Sequence, residues 1–287
     1  MCGLVASIVI GIAVVASPPR DGPAPTAPPR PASLEASVDG PDAQGIDVGD
    51  YQDSNGPIQW SVVAGQYQFA FVKATEGDYY VNQYYPADVN SALAAGLYVG
   101  EYTFATPDDA SGSDEATYFL QQSSFPASKR LLVPMVDFEA DPYGADICYG
   151  LDPSDMVSWI SSYTATIYAA LGVMPIIYTQ ASWWNYCTGG ATAFATNPLW
   201  VGSDSTPSTM IPAGFASWAI WQSGVGSATG VTGPVDVDTF NGTVAQLASQ
   251  LTYAATIQRP RDPVFGLCCQ APAPAAHRRS KAARRLG

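Results

Sequence analysis

The chain has 287 residues, of which 47% are hydrophobic, 11% are aromatic and only 13% are charged, and its formal net charge is −13. This composition excludes a wholly disordered protein, and the acidic balance argues against a nucleic-acid-binding protein, which needs a basic surface. Residues 45–258 hold twenty acidic and three basic residues, and residues 259–287 hold seven basic residues and one acidic residue, so we predict an acidic folded domain followed by a basic tail.

The first 43 residues fall into two segments of different composition. Residues 4–16 form an apolar run of about the length found in secretory signals and too short for a membrane span, and small residues follow it. Because no basic residue precedes this run, an uncleaved anchor is the alternative to an export signal. Residues 18–43 are rich in proline and alanine, which is typical of an extended linker. We predict an exported protein, extracellular or wall-associated, with no stable membrane association once residues 1–17 are removed.

Short apolar stretches alternate with helical or loop stretches over residues 44–258. The predicted strands are 45–48, 69–75, 98–105, 131–139, 175–179, 199–202, 218–222 and 235–240. The predicted helices are 85–95, 113–122 and 153–171, and the last begins after a capping Asp152 with Pro153 in its first turn. After Gly202 the spacing leaves little room for helices. The pattern therefore predicts an α/β fold, a modified TIM-type barrel with five β/α units followed by three β-strands.

Acidic residues fall at the ends of these predicted strands, where barrel enzymes carry their catalytic groups. They are Asp47, Glu76, Asp137, Glu139 and Asp236. Asp137 and Glu139 are two residues apart on one strand, so their side chains point to the same face with Cα atoms about 6.5–7 Å apart. Phe138 between them is expected to face the surrounding helices. The spacing places two carboxyl groups in one pocket.

Two neighbouring carboxyl groups suit the hydrolysis of a glycosidic bond. One of them must be protonated to donate to the leaving oxygen, and the other must stay ionised. The alternative is that a D-x-E pattern occurs by chance, or that acids at strand ends only cap helices. Aromatic rings stack on sugars, and we favour two tyrosines and two tryptophans that lie on predicted strands. We therefore predict that substrate is bound by Tyr102, Tyr178, Trp200, Trp221 and Glu76.

The cysteines and histidines indicate no metal site. Cys268 and Cys269 are adjacent, and His277 is the only histidine in the chain, so no spacing typical of zinc ligands occurs. We expect neither a metal nor an organic cofactor. Cys148 and Cys187 are the two cysteines of the predicted domain, and in an exported protein they form either a disulfide or two buried thiols.

Seven motifs occur in one characteristic order. They are GIDV at 45–48, FVKATEG at 71–77, YTFA at 102–105, VDFE at 136–139, YT at 178–179, WAIWQ at 218–222 and VDVDTFNG at 235–242. In this order they resemble the lysozymes of glycoside hydrolase family 25, and the resemblance covers roughly residues 44–250.

The resemblance implies a muramidase that cuts the β-1,4 bond between N-acetylmuramic acid and N-acetylglucosamine with retention of configuration. By this resemblance Glu139 is the general acid and base, and Asp137 orients the acetamido group of the substrate or acts as nucleophile. Asp47 and Asp236 match the flanking acids of the pocket. Cys148 and Cys187 match a pair that is expected to be disulfide-bonded. The implied partner is the glycan strand of bacterial peptidoglycan, and we expect a monomer.

Several positions depart from the family pattern at the rim of the groove. The departures are Glu101, Thr103, Gly202, Ser203, Asp204 and Ser223. They remove no catalytic carboxylate, but they change the groove walls.

Two other functions compete with a muramidase. One is a barrel that binds wall glycans without cutting them. The other is a chitinase-like hydrolase, whose acidic strand motif is usually longer than residues 136–139.

Overall fold

The computed structural model describes residues 42–54, 56–203 and 205–254, and all of them belong to one structural unit. The predicted export signal at 1–17, the linker up to residue 41, Asp204 and the basic tail from residue 259 lie outside the described residues. Cys268, Cys269 and His277 lie there too. None of the helices within the described residues is both long and apolar enough to cross a membrane.

The strands of the described residues form one sheet. They are β1 (Gln44–Val48), β2 (Phe69–Glu76), β3 (Tyr80–Val81), β4 (Tyr98–Phe104), β5 (Met135–Phe138), β6 (Ile176–Thr179), β7 (Leu199–Gly202), β8 (Ile220–Gly226) and β9 (Val235–Phe240). Their order is β1-β9-β8-β7-β6-β5-β4-β2-β3, and β1 also pairs with β2. This last pairing closes eight strands into a barrel and leaves β3 as an extra strand on the edge of β2.

Strand direction is uniform around the barrel except at one position. The pairs from β1 through β2, β4, β5, β6, β7 and β8 are all parallel. In contrast, β9 runs antiparallel to both of its neighbours, β8 and β1. The beginning of β9 therefore lies at the same edge of the barrel as the carboxyl ends of the other seven strands.

Helices cover the outside of the first part of the barrel. They are α1 (Asp50–Ser54), α2 (Trp60–Val63), α3 (Tyr85–Ala94), α4 (Gly112–Gln122), α5 (Pro153–Leu171), α6 (Ala181–Cys187) and α7 (Val244–Gln250). The boundaries of α5 follow from its sequence: the Asp152 side chain accepts hydrogen bonds from the backbone N–H groups of Ser154 and Asp155, and Gly172 ends the helix at φ 72°.

The predicted architecture is confirmed. One or more helices follow each of β1, β2, β4, β5 and β6, whereas β7, β8 and β9 follow one another with only a 3₁₀ turn (Pro207–Thr209) between the first two. Two predicted strands differ from the observed ones by more than one residue at an end. The stretch 131–139 narrows to β5, because Pro134 has no N–H and Leu131 and Leu132 form only isolated bridges. The predicted strand 218–222 corresponds to β8, which begins and ends later in the sequence. The prediction missed β3, α1, α2, α6 and α7.

Two separate cores hold the fold together. Phe69, Phe71, Trp200 and Phe240 fill the barrel interior and are fully buried. A second core lies between the sheet and the helices, where the Phe138 ring stacks on the Trp183 ring with centroids 6.3 Å apart. Phe138 thus faces the helices, as predicted. Glycine makes room for the interior rings, since a Cβ atom added at Gly45 would lie 2.2 Å from Phe69.

Cys148 and Cys187 form a disulfide, with Cα atoms 5.4 Å apart and a sequence separation of 39 residues. The bond ties the segment before α5 to the last residue of α6. We expect replacement of both cysteines by serine to lower the free energy of unfolding by about 4 kcal/mol, the chain-entropy estimate for a loop of this length. Urea unfolding measures this loss. A reducing agent should destabilise the wild type equally and leave the double variant unchanged; equal stability of both proteins would contradict the expectation.

Candidate active site

Four acidic side chains meet at one end of the barrel. Asp47 lies near the end of β1 and Asp137 lies in β5. Glu139 is the residue directly after the end of β5. Asp236 lies near the beginning of β9 and pairs in register with Asp47. The antiparallel direction of β9 is what brings Asp236 to this edge. The structure therefore places all four predicted acids at the same end of the barrel.

Asp47 is the most buried of these acids, with 7% of its surface exposed. Burial and, after it, the charge of Asp236 raise the pKa of Asp47 to about 7, against the effect of a hydrogen bond from Gln222. Gln222 Nε2 donates to Asp47 Oδ2 over 3.0 Å, and the Tyr178 hydroxyl donates to Gln222 Oε1 over 2.7 Å. Gln222 was not predicted as a site residue, although it ends the WAIWQ motif. This chain of hydrogen bonds orients the Asp47 carboxyl group.

Asp137 and Glu139 interact as a pair. Burial raises the pKa of both groups, and the charge of Glu139 raises the pKa of Asp137 further. The positive charge of Lys73 lowers the pKa of both groups, but burial outweighs it. Because two such close acids titrate together, the pair holds a proton to a higher pH than an isolated carboxyl group does. This is the property that a general acid needs.

Glu76 is engaged by three donors at the rim of the site. Lys73 Nζ lies 2.6 Å from Glu76 Oε2, and the hydroxyls of Tyr79 and Tyr143 donate to Glu76 Oε1 over 2.7 and 2.5 Å. Although burial opposes it, the Lys73 charge and these hydrogen bonds lower the pKa of Glu76. Glu76 is therefore ionised and positions its neighbours. Lys73 is visible in the FVKATEG motif, whereas Tyr143 lies in a loop that carries no sequence signal.

The predicted aromatic residues divide into two groups. Tyr102 and Tyr178 lie beside the acids, with 8% and 4% of their surfaces exposed, and Tyr102 is close enough to act on Asp47 as a hydrogen-bond donor. Trp200 is fully buried and packs against Phe71, with ring centroids 4.8 Å apart. The predicted sugar-stacking role does not fit Trp200, because no face of its ring is exposed; the residue belongs to the core beneath the site.

Trp221 also lies away from the acids. It alternates along β8 with Gln222, which points toward Asp47, so the Trp221 side chain projects from the opposite face of the sheet. Its indole N–H donates to the Ser203 carbonyl over 2.7 Å. The predicted substrate-binding role is therefore not supported by this position. Sequence alone placed Trp221 on the right strand, but the face depends on the register.

The buried acids predict that stability falls as pH rises. Burial raises the pKa values of Asp47, Asp88 and Glu101 to about 7. The folded protein thus binds these protons more tightly than the unfolded chain, so their stabilisation is fully present below the ordinary carboxyl pKa and is lost as pH rises through about 7. We expect the thermal midpoint to fall between about pH 5 and about pH 8.

Glu101 provides the variant that isolates this effect, because it is buried on β4 outside the cluster of four acids. In Glu101→Gln the fall in thermal midpoint should be smaller than in the wild type, since glutamine does not titrate. The exposed Asp155 is the matched control, and Asp155→Asn should show the fall of the wild type. An identical pH dependence in Glu101→Gln and the wild type would contradict the expectation.

No metal centre is evident in the part of the chain that the structure describes, where no three His, Cys, Asp or Glu side chains are arranged to hold an ion. The titratable groups that meet at the site are carboxyl groups. One protonated and one ionised carboxyl group beside each other, with two flanking acids, can protonate a leaving oxygen and stabilise positive charge.

A known protein family and several individual proteins match this sequence. A sequence model of the family described as "Glycosyl hydrolases family 25" matches residues 46–231. Lysozyme M1 from Streptomyces globisporus is 40% identical over 209 residues, covering 71% of this chain and 69% of that protein. The N,O-diacetylmuramidase of a Chalaropsis species is 36% identical over 187 residues, covering 62% of this chain and 86% of that protein.

Solved structures show the same similarity in three dimensions. The bacterial lysozyme from Streptomyces coelicolor superposes with a TM-score of 0.69 at 36% identity, covering 76% of this chain and 99% of that one. A family 25 lysozyme from Aspergillus fumigatus superposes with a TM-score of 0.68 at 36% identity, covering 74% of this chain and all of that one, 100%.

Proposed function

The chain belongs to glycosyl hydrolase family 25, and from this membership and the cluster of four acids we propose that it is a lysozyme acting on bacterial peptidoglycan. The bond cut is the β-1,4 bond between N-acetylmuramic acid and N-acetylglucosamine. The observation that carries the proposal is the placement of Asp137 and Glu139 side by side at the open end of the barrel, where burial raises the pKa of both groups. The proposal includes export, directed by residues 1–17, and action as a monomer on glycan strands.

Glu139 is the general acid and base in this proposal. It lies beyond the last residue of β5, and its side chain is longer than that of Asp137, so it reaches farther from the barrel toward a bound glycan. Burial and the charge of Asp236 raise the pKa of Glu139, which favours the protonated form needed to donate to the glycosidic oxygen. After the bond breaks, the Glu139 carboxylate takes a proton from the attacking water.

Asp137 orients the acetamido group of the substrate. It lies deeper than Glu139, within β5, and Asp137 Oδ1 is buried without a hydrogen-bond partner among the described residues. A buried acceptor without a donor is costly unless a ligand supplies one. The N–H group of the N-acetyl substituent of the muramic acid is such a donor, and this hydrogen bond turns the acetamido carbonyl oxygen toward C1.

The reaction then proceeds in two balanced steps with retention of configuration. Glu139 gives its proton to the leaving oxygen as the bond from that oxygen to C1 breaks and the acetamido oxygen bonds to C1. Water then attacks C1 from the face that the leaving group vacated, releases the acetamido oxygen and returns a proton to Glu139. When ionised, Asp47 and Asp236 place negative charge beside the pocket, which stabilises the positive charge that develops on the sugar.

The enzymatic proposal is tested with purified protein and isolated bacterial walls. We expect soluble fragments and new reducing ends to appear in proportion to enzyme and time. Walls from several bacteria are needed, because acetylation patterns differ and the groove rim departs from the family pattern. If no wall type releases fragments while the protein still sediments with walls, the proposal of hydrolysis is wrong and the binding barrel takes its place.

A further inference from the structure

Asp238 is a fifth acidic side chain inside the barrel, one layer below the four acids of the site. It lies two residues after Asp236 on β9, so both side chains project from the same face of the strand. In register it lies opposite Gly45 on β1 and Gln222 on β8. The Phe69 ring packs against Gly45, and Asp238 is only 1% exposed. It therefore lies beneath the Asp47–Asp236 pair, without access to solvent.

Among the residues that the structure describes, no basic side chain forms an ion pair with Asp238. Both of its carboxyl oxygens are buried without a hydrogen-bond partner among the described residues, and so is the indole N–H of Trp200. Burial, followed by the charges of Asp47 and Asp236, raises the pKa of Asp238 well above its usual range. The Trp200 side chain acts in the opposite direction and lowers this pKa. The charged neighbours of Asp238 are thus acids rather than bases.

A neutral Asp238 resolves this arrangement. A protonated carboxyl group keeps a carbonyl oxygen that can accept from the Trp200 N–H, and it gains one O–H donor. The acids whose charges act on Asp238 are Asp47 and Asp236, and an ionised carboxyl group at either position can accept this hydrogen bond. Asp47 Oδ2 accepts a hydrogen bond from Gln222 Nε2 on one side of the carboxyl group. A donor below Asp47 would hold the carboxyl group from the other side.

We propose that Asp238 is a positioning residue, a neutral acid that donates a hydrogen bond to the Asp47–Asp236 pair and holds these two carboxyl groups in place. This inference rests on the proposed lysozyme function, and it assigns the floor of the catalytic pocket to a residue that never touches the substrate. Because a hydrogen bond from below favours the ionised forms of Asp47 and Asp236, it also helps to set the pH at which the enzyme becomes active.

Two substitutions of nearly the same size separate a donor from a merely structural residue. Asp238→Leu removes the donor. We expect kcat to fall about tenfold or more with KM within about twofold, and the acid limb of the kcat pH profile to move to higher pH. Asp238→Asn keeps a neutral donor, so it should restore kcat to within about threefold of the wild type and return the acid limb to its original position.

Asp88 supplies the matched control, because it is another buried aspartate beside a tryptophan N–H, 2.9 Å from Trp60 Nε1, and it lies on α3 outside the barrel. Asp88→Leu should lower stability without moving the pH profile. The proposal is overturned if Asp238→Leu leaves the acid limb in place. It is equally overturned if Asp238→Asn moves that limb to lower pH, since this would show that Asp238 carries a charge in the wild type.

A spectroscopic measurement stands independently of activity and of the folding of Asp238→Leu. In wild-type protein labelled with ¹³C at the aspartate carboxyl carbons, the resonance that is lost in Asp238→Asn should stay at its protonated position from about pH 5 to about pH 8. Titration of this resonance near the ordinary aspartate pKa would overturn the proposal. Failure of the wild type to cut peptidoglycan would instead contradict the proposed function and leave this result untouched.

Discussion

Glu139→Gln should lower kcat on peptidoglycan by about 10³- to 10⁴-fold, the upper part of the range for loss of a general acid. Glutamine has nearly the same size and can accept a hydrogen bond, but it cannot protonate the glycosidic oxygen or take a proton from water. The fold should stay intact, because the substitution removes a carboxyl group whose pKa is raised by burial in the folded state. Stability at neutral pH should therefore be equal to that of the wild type or higher.

The rate of reducing-end release, measured beside circular dichroism and the thermal midpoint, tests this expectation. Glu101→Gln is the matched control, since Glu101 is also a buried glutamate whose pKa burial raises, but it lies outside the cluster of four acids. It should keep the activity of the wild type. Activity of Glu139→Gln within about tenfold of the wild type would assign the general acid to another residue, even if the lysozyme activity itself is established.

Asp137→Asn should lower kcat by about 10²- to 10³-fold, the cost of losing one preorganised polar group that acts in the transition state. Asparagine can present its NH₂ group where the carboxylate accepted the acetamido N–H, so the acetamido oxygen is no longer held against C1. The substitution also removes the carboxyl charge beside Glu139, so the pKa of Glu139 should fall, and the alkaline limb of the pH profile should move to lower pH.

A substrate without the acetamido group distinguishes orientation of that group from other roles of Asp137. On walls whose glycan has been chemically N-deacetylated, wild type and Asp137→Asn should differ far less than on native walls. Asp155→Asn, an exposed substitution on α5, should behave as the wild type on both substrates. An equal loss from Asp137→Asn on the two substrates would show that Asp137 acts on C1 rather than on the acetamido group.

The barrel was predictable because its strands are short apolar stretches bounded by turns, and because α5 carries explicit start and stop signals in Asp152, Pro153 and Gly172. The acidic pair was predictable because side chains two residues apart on a strand point to the same face of the sheet. Asp236 was predicted as well, although its strand runs in the opposite direction, and that direction is what places the beginning of β9 at the catalytic edge.

Contacts between distant segments were not predictable from sequence. Tyr143 meets Glu76 across 67 positions and Gln222 meets Asp47 across 175, and neither contact follows from a local pattern. Trp200 was predicted to bind sugar because it lies on a strand, but an inward residue of a barrel strand can lie in a buried layer or at the open end. Which layer it occupies depends on strand stagger, and the structure places Trp200 in the buried layer.

The chemical identity of the new reducing end tests the central claim most directly. Wall digests reduced with borohydride convert each new reducing sugar into its alcohol, which acid hydrolysis and mass spectrometry then identify. The proposed lysozyme reaction predicts muramitol in wild-type digests and its near absence in Glu139→Gln digests. Glucosaminitol in place of muramitol would show cleavage of the other glycosidic bond of the strand and contradict the assignment of the protein as a muramidase.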